Sequence, residues 1–421
     1  MKRRLKDFLI SRKLDPESEE KVLEATFGGK GEYNRFYNTA GIIYRVTGFV
    51  FLFLFLFYLI ATAMANLDSI TYENAEYIVR NFAERLDDNA SEVSGMIYNP
   101  DSSMRFAKFG RGLAVCGNTG VTIFSATGRR TSSDSVEIAT PAVAASSKYV
   151  IAYDSGGRDY YVYNAFSRVK TGRTEGKIYS FSVADNGCYL YVAEGEKYET
   201  ETTLCDQNFN IRAVYGKNLH TVCAVIDSDG SRIAIITLGV DANGAFTANG
   251  YVYPFASDKE TAVFSFGGSL PLGCDFSDEG LTVLCSDCVL RYDDSGTLIR
   301  RDSFSGSVFG ASVSGGTAAV LLRKTSGSET RDTIFLSTSD GPALAADLPV
   351  GTVSVAASEG VAFLIGRDGV RSFDGFLSDP VNAGRDYTDG DTVCAVSGNE
   401  VYYITRSAAY AISFDGNEKE G

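Results

Sequence analysis

Residues 222–236 read VCAVIDSDGSRIAII: a strand of small and apolar residues, a tight polar turn and a strongly apolar strand follow one another directly. The same order returns along the chain, and each pair of strands is joined by a short polar turn. These turns are Gly110-Arg111-Gly112, Ser146-Ser147-Lys148, Asp185-Asn186-Gly187, Ser228-Asp229-Gly230, Asp278-Glu279-Gly280, Ser314-Gly315-Gly316, Ser358-Glu359-Gly360 and Ser397-Gly398-Asn399. A unit of several short strands that recurs about every 40 residues is typical of a propeller blade.

A third strand often follows and ends in an aromatic residue, a small polar residue and a glycine turn, as in Phe373-Asp374-Gly375. The pattern predicts an all-β fold, a β-propeller of eight four-stranded blades, or of seven if one of the turns belongs to an insertion. The small residues of the first strand suit the crowded centre of the ring. The bulky second strand is expected to fill the space between blades.

The last repeat, residues 392–416, contains only three strands. Residues 92–98 alternate in polarity and have no partner of their own. We therefore expect them to supply the missing fourth strand and to close the ring, because closure removes unpaired sheet edges.

Residues 46–65 contain no charged side chain. Twenty residues of helix span the roughly 30 Å hydrocarbon layer of a membrane. One alternative is a buried core helix, but such a helix would need a polar face, which is missing. The other is a cleaved signal peptide, but the apolar run is too long and too far from the N-terminus. The pattern predicts a single transmembrane helix.

Basic residues precede this span, whereas Asp68, Glu73 and Glu76 follow it. The positive-inside rule then places the N-terminus in the cytoplasm and the rest of the chain outside. The predicted organisation is a basic cytoplasmic segment (1–45), the span (46–65), an extracytoplasmic stalk helix (66–91) and the propeller domain (92–421). The predicted location is the cell membrane, with one pass and an extracytoplasmic propeller.

The formal net charge is −14. An acidic body repels nucleic acid, so nucleic-acid binding is excluded as a function class. The membrane and a protein or cell-envelope component are the expected partners, whereas the sequence does not indicate an oligomeric state.

Few residues of the sequence suggest a catalytic, metal-binding or cofactor-binding site. His220 is the only histidine, so a histidine-rich metal site is excluded and a Ser–His–Asp relay has no supporting context. Asp227-Ser228-Asp229-Gly230 resembles the start of a calcium loop but lacks the distal ligands. Asn89-Ala90-Ser91 is a glycosylation sequon that matters only in a glycosylating host. The sequence therefore predicts no catalytic residue, no metal ligand and no cofactor.

An even number of cysteines in an extracytoplasmic domain is typical of disulfides. However, Cys223, Cys274 and Cys394 all fall in the first strand of a repeat, where other repeats have small residues, so we expect these three to be buried free thiols. Cys285-Ser286-Asp287-Cys288 lies in a strand turn and indicates a local disulfide or a chance spacing rather than a redox site. The eight cysteines are at positions 116, 188, 205, 223, 274, 285, 288 and 394.

The repeats resemble the broad class of WD-repeat, quinoprotein-like and YVTN-type propellers. The whole layout, with its basic lead, single span, Thr71-Tyr72-Glu73-Asn74 segment and repeats, resembles an uncharacterised family of membrane-anchored bacterial propellers. The resemblance implies the architecture and assigns no catalytic residue. Trp is absent from the chain, as are the Trp-Asp and Tyr-Val-Thr-Asn signatures.

A propeller without a recognisable catalytic set favours a binding or scaffolding module for a protein or an envelope component. One alternative is a hydrolase or lyase that acts on polysaccharide in the central channel. Another alternative is a sensor that signals through residues 1–45. An enzyme is the less favoured of these functions.

Overall fold

The computed structural model of the protein describes residues 32–65, 95–101, 103–240, 243–255, 257–326, 329–349, 351–381, 390–395 and 397–414. The chain divides into two compact units, residues 1–74 and residues 75–421. The basic N-terminal segment up to residue 31, the predicted stalk helix and the sequon lie outside the described residues.

The described part of the first unit is one helix, α1, which spans Glu32–Ala65. Its segment Gly41–Tyr58 has a mean hydropathy of 1.9, and none of these 18 residues is buried. Eighteen helical residues cover about 27 Å, close to the thickness of the hydrocarbon layer. The helix starts earlier than the predicted span because residues 32–45 contain no proline. By length and composition, α1 could cross a membrane.

The second unit is a β-propeller of eight sheets. Seven blades follow in chain order, and in each the first strand is innermost. They are blade 1, β2 (Arg105–Phe109), β3 (Gly112–Gly117), β4 (Gly120–Phe124) and β5 (Arg130–Asp134); blade 2, β6 (Pro141–Ala145), β7 (Val150–Asp154), β8 (Asp159–Tyr163) and β9 (Arg168–Arg173); blade 3, β10 (Ile178–Val183), β11 (Tyr189–Glu194), β12 (Thr200–Cys205) and β13 (Ile211–Lys217); blade 4, β14 (His220–Ile226), β15 (Arg232–Val240), β16 (Phe246–Pro254) and β17 (Ala262–Gly267); blade 5, β18 (Pro271–Ser277), β19 (Gly280–Cys285), β20 (Cys288–Tyr292) and β21 (Leu298–Ser303); blade 6, β22 (Ser307–Ser314), β23 (Thr317–Ser326), β24 (Glu329–Ser337) and β25 (Leu344–Asp347); and blade 7, β26 (Ser354–Ser358), β27 (Val361–Gly366) and β28 (Gly369–Phe373).

Blade 8 joins the two ends of the unit. From the centre outward, its strands are β29 (Gly390–Ala395), β30 (Glu400–Thr405), β31 (Ala408–Ser413) and β1 (Met96–Ile97). The β1 strand pairs antiparallel with β31, with Met96 opposite Ala409. The Tyr98 hydroxyl also donates a hydrogen bond to the carbonyl of Thr405 at 2.7 Å. The predicted ring closure and the eight blades are confirmed, although residues 92–94 lie outside the described residues.

The second strands are apolar on both sides because neighbouring blades pack against both. In β15, Ile233 and Ile235 pack in the core shared with blade 3, whereas Ala234 and Ile236 pack in the core shared with blade 5. Successive side chains of a strand point to opposite faces, so a strand between two blades loses the usual polar alternation. Full burial of one such Ile side chain contributes about 1.5–3 kcal/mol.

Blade 7 differs from the expected four strands. In residues 374–381, the part after β28 that the structure describes, the chain makes only isolated bridges, one between Phe373 and Leu377 and one between Val370 and Val381. Pro380 lies immediately before Val381 and has no N–H to donate to a ladder, which explains why no regular outer strand forms along residues 374–381.

The turns between first and second strands, here called the inner turns, are hydrogen-bonded from blade to blade. The backbone N–H of Ser147 donates to Asp185 at 2.7 Å, and that of Gly398 donates to Glu359 at 3.0 Å. The N–H of Gly315 donates to Asp275 at 2.8 Å, and burial raises the pKa of this carboxyl to about 6. These bonds tie neighbouring inner turns together on one side of the ring.

Candidate functional site

The residues singled out in the sequence do not form a reactive centre. His220 is the first residue of β14, is exposed, and lies edge-on to the ring of Tyr179 at 5.1 Å. Asp227 pairs with Arg232 at 2.6 Å, and Asp229 accepts a hydrogen bond from the N–H of Ser231 at 2.8 Å. Within the described ranges, no three His, Cys, Asp or Glu side chains converge as metal ligands.

The expectation for Cys223 and Cys274 was wrong. These two cysteines form a disulfide between β14 and β18, the inner strands of blades 4 and 5, and their Cα atoms are 6.5 Å apart. This distance lies within the range that a disulfide requires. The three inner-strand cysteines do not occupy equivalent positions, because Cys394 lies at a different height on its strand. Cys394 is a free thiol.

The Cys285 and Cys288 thiols face each other at the end of the β19–β20 hairpin, where both are buried and unbonded. The hydrogen bond to Cys288, followed by burial, raises the pKa of Cys285. A thiol with a raised pKa is a poor nucleophile. The same hydrogen bond lowers the pKa of Cys288, so the contact makes the two thiols unequal. The local disulfide that the spacing allowed is not formed.

A polar cleft of about 380 Å³ opens near the junction of blades 8 and 1 and contains two carboxylates, Asp101 and Asp134. Asp101 accepts a hydrogen bond from the N–H of Asn118 at 2.7 Å. Asp134 accepts one from the hydroxyl of Tyr163 at 3.0 Å. Both carboxylates of the cleft therefore accept hydrogen bonds from the protein's own donors.

A repeated irregularity marks the other end of the inner strands, opposite the inner turns. The inner strand carries a β-bulge at the same height in blades 3 to 6 and in blade 8, where the bulged residue is Asp391. In blades 3 to 6 the bulged residue is apolar. The bulged residues are Tyr179, Val222, Leu272 and Phe309. In blade 7, Val353 takes the corresponding place, because its N–H donates to Ile365, the residue that also faces Ser354.

A bulge redirects a side chain out of the regular alternation of a strand. Here the redirected side chains are partly exposed, and that of Phe309 packs against the core between blades 6 and 7. We call these five residues the collar: Tyr179 is 36% exposed, Val222 38%, Leu272 45% and Val353 53%, and Phe309 is half-buried. Because inner strands surround the centre of a propeller, the collar lies at one mouth of the channel.

More apolar side chains extend the collar on the same side of the ring. Leu219 and Leu270 lie in the connections that enter blades 4 and 5, and Val240 pairs with Phe246 at the end of the long β15–β16 hairpin. All four are exposed. Exposed apolar side chains that lie close together are typical of interaction sites.

Sequence periodicity missed the collar because a bulge breaks the alternation on which strand patterns depend. A local signal was present, since each bulky apolar residue directly precedes a small one. The pairs are Tyr179-Ser180, Val222-Cys223, Leu272-Gly273, Phe309-Gly310 and Val353-Ser354.

Solved structures with the same fold come from distant proteins. BamB from Moraxella catarrhalis is 10% identical, with a TM-score of 0.51 over 77% of this chain and 99% of that chain. Sqt1 from Saccharomyces cerevisiae is 9% identical, with a TM-score of 0.52 over 76% of this chain and 99% of that chain. At such identities the likeness concerns the fold alone.

No curated protein sequence matches the chain. A family model described as "Family of unknown function (DUF5711)" matches residues 89–332, which include blades 1 to 5 and most of blade 6. The match extends over more than half of the chain, and it includes the collar residues of blades 3 to 6. The chain therefore belongs to DUF5711, a family of unknown function whose fold here is a β-propeller.

Proposed function

We propose that this protein is a membrane-anchored binding module whose propeller lies outside the cytoplasm and engages a protein of the cell envelope through the collar. The observation that carries the proposal is the repetition of a partly exposed apolar residue at the same bulge in the inner strands of blades 3, 4 and 5. Such side chains lose exposed apolar surface when a partner covers them, which favours association.

Anchoring by α1 is supported by its apolar segment and by its flanks. Residues 1–45 carry ten Lys and Arg against seven Asp and Glu, and a basic flank tends to stay in the cytoplasm. The disulfide between Cys223 and Cys274 favours the same orientation. Disulfides persist in oxidising compartments and are rare in the cytosol.

The topology has a direct test. When protease is added to intact protoplasts that express the full chain, we expect the propeller to be degraded and a membrane-bound fragment containing residues 1–45 to survive. Lysed protoplasts are the control, in which this fragment should also disappear. A propeller that resists protease until the cells are lysed would contradict the proposed orientation.

The collar is tested by site-specific photo-crosslinking in intact cells. A photoreactive phenylalanine analogue at Leu272 should yield an adduct of defined mass, because the partner covers this side chain. The additional substitution Val222→Asp places a charge in the collar and should reduce the yield at least tenfold, since burying an unpaired charge is costly.

Val263 provides the matched control. It is 59% exposed and lies on β17, the outer strand of the same blade as Val222. The substitution Val263→Asp should leave the Leu272 adduct unchanged. Equal losses from Val222→Asp and Val263→Asp, or no adduct at Leu272, would refute the collar as the binding surface.

A further inference from the structure

The hairpins that join the second and third strands of the blades end on the collar side of the ring, and two of them are long. The second strand of blade 4, β15, has 9 residues, and that of blade 6, β23, has 10. The second strands of the other six blades have 5 or 6 residues. At about 3.3 Å per residue, the two long hairpins extend about 10 Å beyond their neighbours. Across blades 3 to 6, short and long hairpins therefore alternate.

The long hairpin of blade 4 ends in apolar side chains. Val240 and Phe246 pair with each other at this end, and both are more than half exposed. The short hairpin of blade 5 leaves a recess beside this projection. Leu270 and Leu272 lie on the same side of blade 5 and are also exposed. Blade 4 therefore carries an apolar projection, and blade 5 an apolar recess.

The long hairpin of blade 6 is basic. Lys324 lies directly opposite Arg331 in its ladder, and both side chains are exposed. Like charges at directly opposite positions repel each other. Arg323 pairs with Asp332 at 2.8 Å on the same hairpin. Glu329 is the one further acid in the sequence of this hairpin, which therefore carries one positive charge in excess.

The loops of blade 3 on the collar side are acidic. Residues 194–199, which end the second strand and lead to the third, read Glu-Gly-Glu-Lys-Tyr-Glu. The three glutamates and the lysine are all exposed. Glu175 and Lys177, in the connection that enters the blade, add no net charge. Blade 3 thus carries two negative charges in excess, whereas blade 6 carries a positive one.

These four blades are complementary to themselves under a twofold rotation. When two rings face each other collar to collar, a twofold axis between blades 4 and 5 brings blade 4 of each copy over blade 5 of the other. The same axis brings blade 6 of each copy over blade 3 of the other. Each long hairpin then meets a short one. The apolar projection meets the apolar recess, and the basic hairpin meets the acidic loops. A contact of this kind, in which one surface binds itself, is the isologous contact of twofold dimers.

We propose that the collar and the hairpins around it bind a second copy of this chain in a twofold-symmetric dimer. The inference rests on the proposed function, because it names the partner of the same surface. Burial of the collar and of the blade 4 projection supplies the attraction. The charges of blades 3 and 6 set the register, since opposite charges then meet and like charges are kept apart.

An exchange of charges tests this register in the full chain, purified in detergent, with sedimentation velocity as the measure of the dissociation constant. Lys324→Glu and Glu196→Lys should each raise this constant about tenfold, because symmetry places like charges at two contacts of the dimer. The variant with both substitutions should regain the natural value within about threefold, since opposite charges meet again. Glu279→Lys is the matched control and should have no effect. Glu279 is equally exposed but lies in an inner turn, on the opposite side of the ring.

The mass of the Leu272 photo-adduct separates this inference from the proposed function. An adduct of twice the mass of the chain would identify a second copy as the partner. An adduct with a different protein, from a chain that stays monomeric in detergent, would refute the dimer and leave the collar as a binding surface. Absence of any adduct would refute both. A dimer that neither charge reversal weakens, or that the double variant does not restore, would overturn the proposed arrangement.

Discussion

A propeller fragment that starts at Met104 is expected to melt roughly 15 °C below one that starts at Asp87, or to aggregate. The shorter fragment lacks Met96, which is fully buried in the core between blades 8 and 1, and Tyr98, which is buried in the same core. Removing large core side chains costs about 2–5 kcal/mol each, and each lost hydrogen bond costs roughly 0.5–1.5 kcal/mol more. The sum approaches the 5–15 kcal/mol that stabilises a typical domain.

Two point variants of the full chain separate this effect from a general effect of truncation. Met96→Ala should lower the free energy of unfolding by about 2–5 kcal/mol. Ile97→Ala, at the neighbouring position on β1, should change it by less than about 0.5 kcal/mol, because Ile97 is 75% exposed. Urea denaturation measures both. Equal melting temperatures of the two fragments, together with equal stabilities of the two variants, would mean that β1 does not close the ring.

Replacing both Cys223 and Cys274 by Ala is expected to lower the free energy of unfolding by about 4 kcal/mol. The disulfide closes a loop with a sequence separation of 51 residues, and the chain-entropy relation for loop closure gives this magnitude. Non-reducing urea denaturation of the double variant and of the natural protein checks the value. Reduction of the natural protein should have a similar effect.

Cys394→Ala is the control, since Cys394 lies on the inner strand of blade 8 and is unpaired. This variant should retain the sensitivity to reductant, whereas the double variant should lose it. A natural protein whose stability does not change on reduction would show that the disulfide is absent in solution.

The architecture could be predicted from the sequence because it depends on local, repeated signals. Each inner turn is a short polar segment between two strands that contains at least one Ser, Asp or Gly, and the pairing of Val225 with Ala234 in β14 and β15 follows from that spacing. Ring closure was predictable as well, since the last repeat lacks a strand and residues 92–98 have the alternation to provide one. These inferences need no knowledge of distances between blades.

The features behind the proposed function depend on the three-dimensional structure. Cys223 and Cys274 have the pattern of small buried residues whether or not they are bonded, and only the 6.5 Å between their Cα atoms distinguishes the two states. The collar residues Tyr179, Val222 and Leu272 lie at bulges, which are visible only in the register between the first and second strands.

The closure of blade 8 also has a consequence for the time course of biosynthesis. The Tyr98 hydroxyl and the Thr405 carbonyl that it binds are 307 residues apart in the chain. At roughly 5–20 residues per second, a ribosome needs about 15–60 s to add that length. During this interval β1 has emerged but its partner strand does not exist, so the ring cannot close until β31 has been synthesised. A chaperone that protects the nascent chain would have to act on this N-terminal strand throughout the delay.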